Sequence, residues 1–158
     1  MKVNIRNEKE SDYQAVEDMT RKAFYNLYVP GCIEHYLVHI MREHEDFIPE
    51  LALVIERDGR VIANIMYTKA KLIDTDKNEK QVLTFGPISV LPEYQRQGVG
   101  TALVAEGHRR AEKMGYGYSI VLGSENYYPR FGYVKSSYFG IEVPEGIPQE
   151  NFMAVQLR

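Results

Sequence analysis

The sequence has little of several residues on which whole classes of protein depend. Its 158 residues include one cysteine, Cys32, and no tryptophan. A single cysteine excludes an intramolecular disulfide and a zinc site built from several thiolates. No apolar run approaches the roughly 18 residues that a transmembrane helix needs, and the first residues lack the apolar stretch of a secretory signal peptide. We therefore predict a cytoplasmic protein that does not span a membrane.

Neither sign of charge dominates the sequence. It has 19 Lys and Arg residues against 22 Asp and Glu residues, a net charge of −3. Dedicated nucleic-acid-binding domains usually carry a basic excess or a basic stripe, so we do not expect nucleic acid as a partner. The 44% of hydrophobic residues is typical of a globular protein. The length suits a single domain covering residues 1–158.

The first half of the chain predicts a strand and two helices. Val3 and Ile5 alternate with polar residues and indicate a short strand. Ser11 stands three residues before Gln14, which is the spacing of a capping box at the start of a helix. Pro30-Gly31 then predicts a break. The second helix is predicted to bury one apolar face, made of Ile33, Tyr36, Leu37, Ile40 and Met41.

The rest of the chain predicts mainly strands around one long helix. Asp58-Gly59 is a hairpin signal between two short apolar runs. Gly86-Pro87 lies inside a third run, where a proline interrupts strand pairing. The predicted strands are 51–56, 61–67, 81–90, 118–122, 133–137 and 152–157, with a helix over 98–114 and a short helix or turn over 124–130. This order indicates a mixed α/β domain.

Glycines follow the third of these strands where the long helix begins. Gly98 and Gly100 lie at the predicted first turn, which has unpaired N–H groups and the positive end of the helix dipole. Such a turn can hold a diphosphate, and Arg96 can add a charged contact. A glycine-rich turn that merely starts a helix is the alternative. The segment contains neither the dinucleotide-binding fingerprint nor a Walker loop.

Two segments resemble the GNAT superfamily of N-acetyltransferases. Gln95-x-x-Gly98-x-Gly100, preceded by Ile88–Val90 and Leu91–Tyr94, resembles its acetyl-CoA-binding motif. The segment Tyr127–Tyr133 resembles its Tyr-x-x-x-Gly-Phe block, and the element order is also similar. The resemblance implies an α/β fold with a mixed, mostly antiparallel sheet flanked by helices and a cleft between the fourth and fifth strands. It also implies acetyl-CoA as co-substrate and no metal.

The resemblance further implies which residues bind the cofactor. Backbone groups of Ile88 and Val90 would pair with the pantetheine arm, and the Ile88 amide would bind the thioester oxygen. Amides from Arg96 to Thr101 would hold the pyrophosphate, and the side chain of Asn126 would contact the cofactor. The implied set is Ile88, Ser89, Val90, Gln95, Arg96, Gln97, Gly98, Val99, Gly100, Thr101 and Asn126.

Transfer of an acetyl group to a primary amine needs an acid and a base. Tyr128, four residues before Gly132, matches the tyrosine that the family uses to protonate the coenzyme A thiolate. Its alternative role is an aromatic core residue. Many members of the family use a glutamate on the strand before the position that matches Gly86 as the general base, but no carboxylate lies at 83–86 in this sequence. Glu34 and His35 are the candidate bases, and a solvated helix face is the alternative for both.

Other readings of the same residues stay open. A non-enzymatic acyl-CoA-binding or regulatory module on the same fold is the alternative to an enzyme. The acceptor is an amine-bearing small molecule or protein, and a homodimer through Tyr138-Phe139 and the C-terminal strand is a further hypothesis. His35 and His39 have metal-ligand spacing but lack carboxylate companions, and we read Cys32 as a packed residue rather than a nucleophile.

Overall fold

Seven strands and three α-helices form the part of the chain that the computed structural model describes, residues 4–27 and 31–158. The predicted positions Val3 and Pro30 lie outside these residues. Short 3-10 turns connect several of the elements. The elements are β1 (Asn4–Asn7), α1 (Tyr13–Phe24), α2 (Glu34–Met41), β2 (Leu53–Arg57), β3 (Arg60–Ile73), β4 (Glu79–Val90), α3 (Val99–Lys113), β5 (Tyr118–Leu122), β6 (Val134–Lys135) and β7 (Phe152–Gln156).

The strands pair in the order β1-β2-β3-β4-β5-β7-β6. β1 with β2, β2 with β3, β5 with β7 and β6 with β7 are antiparallel. β4 pairs with β5 in parallel, at Leu83 with Ser119 and at Thr84 with Ile120. Both pairs precede the Gly86–Pro87 peptide bond, which is cis. The predicted α/β fold class, a mixed and mostly antiparallel sheet with helices, is confirmed.

Two compact units divide the chain. The first unit contains the described residues up to Tyr67 together with Gly86–Gly107, and the second contains Thr68–Phe85 and His108–Arg158. β3, β4 and α3 each contribute residues to both units. A single domain over residues 1–158 stays a prediction.

The first unit packs its helices on its strands through one apolar cluster. This interlayer cluster consists of Val16, Val38, Val54 and Met66, with the partly buried Phe47 and Val61 packed against it. Val16 is one of the buried residues of α1. The cluster therefore joins α1 and α2 to β2 and β3.

The predicted apolar face of the second helix is wrong. Ile33, Tyr36, Leu37 and Ile40 are all exposed, Tyr36 to 61%, whereas Val38 is completely buried. α2 has only eight residues, and apolar side chains lie on more than one side of it. Periodicity alone cannot choose between such sides, and the packing of Val38 in the interlayer cluster decides which of them is buried.

The predicted capping box at Ser11 and Gln14 is also wrong. A 3-10 turn, Glu10–Asp12, precedes α1, and the Asp12 carboxylate accepts the Lys9 amide at 2.8 Å. Arg6 donates to the same carboxylate at 2.7 and 3.0 Å and lowers the pKa of Asp12. A buried carboxylate with a guanidinium partner forms stronger, charge-assisted bonds than a serine hydroxyl offers, so Asp12 rather than Ser11 holds the 3-10 turn that leads into α1.

The second unit is built around β5 and β7. These strands pair from Tyr118 with Gln156 to Leu122 with Phe152. The core contains Val82, Ile120 and Ala154, with further partly buried side chains around them. The predicted strand 133–137 shortens to Val134–Lys135 because a 3-10 turn begins at Ser136.

Candidate functional site

The loop after β4 places the predicted cofactor-binding residues in one turn before α3. The side chain of Gln95 donates to the Val90 carbonyl and that of Gln97 to the Glu93 carbonyl, each at 2.9 Å. These bonds hold the loop against the end of the strand. Val99 is buried, while Gln95–Gly98 are exposed. The loop is thus anchored by Val99 and open to solvent along the residues predicted to bind pyrophosphate.

Two residues of this loop adopt left-handed backbone conformations. Gly98 has φ 82° and Arg96 has φ 63°. Glycine adopts such angles without steric cost, but arginine does not. Strained backbone of this kind is found preferentially at ligand-binding turns. The Ala102 amide donates to the Gly98 carbonyl at 3.1 Å and so begins the helix, which leaves the Val99, Gly100 and Thr101 amides at its first turn.

The end of β4 is tied to α1 through Ser89. Its hydroxyl donates to Thr20 Oγ1 at 3.2 Å, and Thr20 Oγ1 donates to the Val16 carbonyl at 2.8 Å. Both hydroxyls are buried. Ile88 and Val90, on either side of Ser89, are partly buried. The side chain of Ser89 is therefore hydrogen bonded within the protein. Its predicted contact with the cofactor would have to come from its backbone atoms.

Tyr128 lies in an aromatic cluster of the second unit. Its ring centroid is 5.7 Å from that of Tyr133 and 5.9 Å from that of Phe85. Gly123 makes room for the ring, because a Cβ at that position would overlap the Tyr128 ring atoms. Tyr128 opens a 3-10 turn that ends at Gly132, with φ 92°. The predicted Tyr-x-x-x-Gly spacing is therefore one short helical turn and its glycine stop.

Behind Tyr128, a buried hydrogen-bonded group fills the cluster. Tyr133 Oη lies 2.6 Å from Ser119 Oγ and 3.1 Å from His108 Nε2. Burial lowers the pKa of His108 to about 4, so its imidazole is neutral near pH 7. Burial also raises the pKa of Tyr133. His108 and Ser119 could not be predicted from the sequence, because no spacing connects them to Tyr133 along the chain.

Asn126 follows β5 in the second unit, two residues before Tyr128. Its side chain is exposed, and its backbone amide donates to Ser124 Oγ at 3.1 Å. The Tyr128 amide donates to the Ser124 carbonyl at 3.1 Å. The two predicted residues thus share one turn that Ser124 organises.

Glu34 and His35 occupy the first turn of α2 in the first unit. Both are partly buried. His35 Nδ1 lies 3.4 Å from Cys32 Sγ, and that sulfur lies 4.0 Å from the Thr20 carbonyl oxygen. Glu34 Oε2 is inaccessible to solvent and has no hydrogen-bond partner among the described residues. Two groups therefore meet at the start of α2, a carboxylate oxygen that is unpaired and an imidazole that contacts a thiol.

Two further properties of the described residues bear on the site. In residues 4–27 and 31–158, no group of three or more His, Cys, Asp or Glu side chains is arranged to hold a metal ion. No helix within those ranges is both long and apolar enough to cross a bilayer. His39 Nδ1 pairs instead with Glu17 Oε1 at 3.2 Å.

Comparison with known families decides the classification. A sequence model of the Acetyltransferase (GNAT) family matches residues 21–133, which include the β4 loop, α3 and the Tyr128 turn. The chain belongs to the GNAT acetyltransferase family. The family predicted from the Gln95–Gly100 and Tyr127–Tyr133 segments is therefore confirmed.

Individual GNAT proteins resemble the chain over most of its length. An uncharacterized N-acetyltransferase of Escherichia coli K12, YjhQ, is 32% identical over 116 residues, 73% of this chain and 64% of the relative. The chain thus spans less than two thirds of that relative. E. coli YhbS in complex with CoA has TM-score 0.84 and 25% identity, over 100% of this chain and 83% of YhbS. A Brucella melitensis GNAT acetyltransferase in complex with acetyl-CoA matches with a TM-score of 0.75 and 31% identity, over 92% of this chain and 93% of the Brucella chain.

Proposed function

We propose that this protein is an acetyl-CoA-dependent N-acetyltransferase that transfers the acetyl group directly to a primary amine. The observation that carries the proposal is the Gln95–Thr101 loop. It lies within the matched GNAT region, is open to solvent and leads through left-handed Arg96 and Gly98 into a 15-residue helix. The structural relatives that contain CoA and acetyl-CoA support the same cofactor here.

The cofactor is held mainly by the first unit. The pyrophosphate is bound by amides of the Arg96–Thr101 turn and by the positive end of the α3 dipole. The Arg96 guanidinium, which is exposed, adds a charge-assisted contact. The backbone of Ile88 and Val90 pairs with the pantetheine arm, and the Ile88 amide polarises the thioester carbonyl. Asn126 adds a side-chain contact from the turn after β5.

Tyr128 acts as the general acid. The amine nitrogen attacks the thioester carbon, the carbon–sulfur bond breaks, and the departing thiolate takes the proton of the Tyr128 hydroxyl. The second proton that the nitrogen loses as the amide forms restores the Tyr128 hydroxyl. An unperturbed phenol has a pKa of about 10 and an unperturbed thiol a pKa of about 8.5, so proton transfer depends on position more than on acidity. Packing by Phe85, Tyr133 and Gly123 supplies that fixed position.

Glu34 acts as the general base in preference to His35. The acceptor reaches the enzyme as an ammonium ion and must lose a proton before its nitrogen can attack. Glu34 Oε2 is unpaired among the described residues and can accept that proton. His35 Nδ1 already contacts Cys32 Sγ at 3.4 Å. The proton passes to the Glu34 carboxylate, which becomes a neutral carboxyl group.

Release of free thiol from acetyl-CoA tests the proposed activity. The purified protein is mixed with acetyl-CoA and, in turn, spermidine, tyramine, lysine methyl ester, and peptides with a free N-terminus or an internal lysine. We expect thiol release that depends on one class of amine, with the acetylated amine identified by mass spectrometry. Tight acetyl-CoA binding without turnover of any amine would instead support the acyl-CoA-binding module, a role favoured by the lack of a carboxylate at 83–86.

The choice of acceptor is a separate question from the activity. A small molecule and a protein amine both remain predictions, as do the homodimer and the cytoplasmic location. Sedimentation of the purified protein tests the homodimer. The amine panel tests the acceptor class, because it contains both kinds of amine.

A further inference from the structure

Polar side chains that are buried or have a buried oxygen atom lie beside the interlayer cluster of the first unit. Thr20 lies one helical turn after Val16 in α1, and Glu34 lies one helical turn before Val38 in α2. Asn64 lies two residues before Met66 in β3, and it lies opposite Val54 of β2 in the strand pairing. Each of the three side chains therefore continues a face that already packs in the cluster.

Two contacts bring the start of α2 and the end of β4 to Thr20. Cys32 Sγ, two residues before Glu34, lies 4.0 Å from the Thr20 carbonyl oxygen. The Ser89 hydroxyl donates to Thr20 Oγ1 at 3.2 Å. The start of α2 and the end of β4 thus both meet α1 at Thr20.

Strand pairing brings Asn64 to the same place. The Leu91 amide donates to the Ile62 carbonyl at 2.9 Å. In an antiparallel pair, moving back along one strand corresponds to moving forward along the other. Ser89, two residues before Leu91, therefore lies opposite Asn64, two residues after Ile62. We call Thr20, Glu34, Asn64 and Ser89 the polar layer.

The polar layer contains groups that lack partners. Asn64 is only 1% exposed, yet neither Oδ1 nor Nδ2 is hydrogen bonded to any residue in the described ranges. Glu34 Oε2 is unpaired in the same sense, so the two side chains do not bond directly to each other. Buried polar atoms without a partner are rare in proteins and lower stability. A small polar group that reaches both side chains would pair Asn64 Oδ1 and Glu34 Oε2.

We propose that Asn64 is a positioning residue for Glu34 and acts through bound water. The water donates one hydrogen to Asn64 Oδ1 and the other to Glu34 Oε2, and its oxygen accepts a hydrogen bond from the acceptor ammonium. The ammonium gives a proton to the water as the water gives one to Glu34, which leaves a neutral amine and a neutral carboxyl group. This inference rests on the proposed function, because it requires an ammonium acceptor.

Asn64→Leu tests the role, since leucine has a similar size and needs no hydrogen bond. We expect a melting temperature no lower than that of the unsubstituted protein and an unchanged Kd for acetyl-CoA. The kcat/KM for the most active amine of the panel should fall at least tenfold. Glu34→Gln should cause a larger fall, and adding Asn64→Leu to it should cause no further fall. Glu45→Gln, which removes an exposed carboxylate, is the matched control.

Two results would overturn the proposal. A melting temperature several degrees lower in Asn64→Leu would show that the amide is paired within the folded protein. If Asn64→Leu lowers kcat/KM by the same factor in the Glu34→Gln variant as in the unsubstituted protein, Asn64 does not act through Glu34.

A crystal structure separates this proposal from the proposed function. If no amine supports thiol release, the proposed function fails, and the water is then judged directly at a resolution that orders solvent. Density for water bonded to both Asn64 Oδ1 and Glu34 Oε2 supports the inference. A dry polar layer, or a direct bond between the two side chains, rejects it.

Discussion

Buried polar side chains occur in both units of the molecule, and those around Tyr133 in the second unit are paired with one another. There, Tyr133 Oη is 2.6 Å from Ser119 Oγ and 3.1 Å from His108 Nε2. In the first unit, the Asn64 amide and Glu34 Oε2 have no partner among the described residues. A paired group stabilises a fold and fixes its neighbours. An unpaired group lowers stability and indicates where a ligand or water binds.

This difference suits the two regions to different roles in the mechanism that we propose. The hydrogen-bonded group of the second unit supports the aromatic cluster in which Tyr128 lies, so it sets the position of one hydroxyl. In the mechanism that we propose, the polar layer of the first unit supplies the groups that handle the acceptor's proton. Substitutions in the hydrogen-bonded group of the second unit should therefore change stability, whereas substitutions that remove the Tyr128 hydroxyl or move its ring should change catalysis.

Tyr128→Phe should have the largest effect. The ring and its packing are kept, so the fold and the affinity for acetyl-CoA should not change. Loss of the proton donor should lower kcat by about 100-fold or more. Steady-state thiol release measures kcat, and calorimetry measures the affinity. Tyr127→Phe, at the adjacent partly buried tyrosine, is the control and should keep most of the activity. Equal losses in the two variants would remove Tyr128 from the mechanism.

Gly123→Ala should have the next largest effect. An alanine Cβ would overlap the Tyr128 ring, so the ring must move, and a displacement of this kind should lower kcat by about 10 to 100-fold. Gly117→Ala is the matched control, because a Cβ at Gly117 has no heavy atom within 4 Å. The rate of thiol release is compared for the two variants. Full activity in Gly123→Ala would show that the position of the Tyr128 ring is unimportant.

Acid should weaken the second unit through His108. Its pKa is about 4 in the folded protein, against 6.5 for a histidine side chain exposed to water. The unfolded chain therefore binds more protons below pH 6.5, and stability is lost as the pH falls from 6.5 towards 4. The free energy of unfolding should drop by about 2 kcal/mol from pH 7 to pH 5. Urea unfolding at both values measures the drop, and His108→Leu should abolish it. An equal drop in that variant would point to another group.

Tyr133→Phe should give the smallest of these effects and compares the two regions directly. Removing the hydroxyl leaves Ser119 Oγ and His108 Nε2 unpaired, which should cost about 1 to 2 kcal/mol. Asn64→Leu should cost nothing, because its amide has no bond to another described residue and leucine needs no hydrogen bond at that position. Urea unfolding of both variants gives the two values. A larger loss in Asn64→Leu than in Tyr133→Phe would reverse the contrast between the units.

Local signals predicted the parts of the site that are continuous in sequence. The Gln95–Thr101 loop and the turn from Tyr128 to Gly132 depend on glycines whose left-handed angles few other residues adopt. Their spacing was therefore visible in the chain. The α2 face was mispredicted because several sides of that helix are apolar, and the start of α1 was mispredicted because Asp12 depends on Arg6 from β1.

The two glycine-marked segments indicated the fold and the family through their resemblance to the GNAT superfamily, while the single cysteine and the balanced charge only excluded other classes of protein. These features depend on backbone angles and composition, which each short segment carries with it. Tertiary structure alone decided which polar groups are paired. Tyr133 meets His108 across 25 residues of chain, and Ser89 meets Thr20 across 69. Hydrogen bonding depends on distance in space, and only the packed strands and helices set that distance.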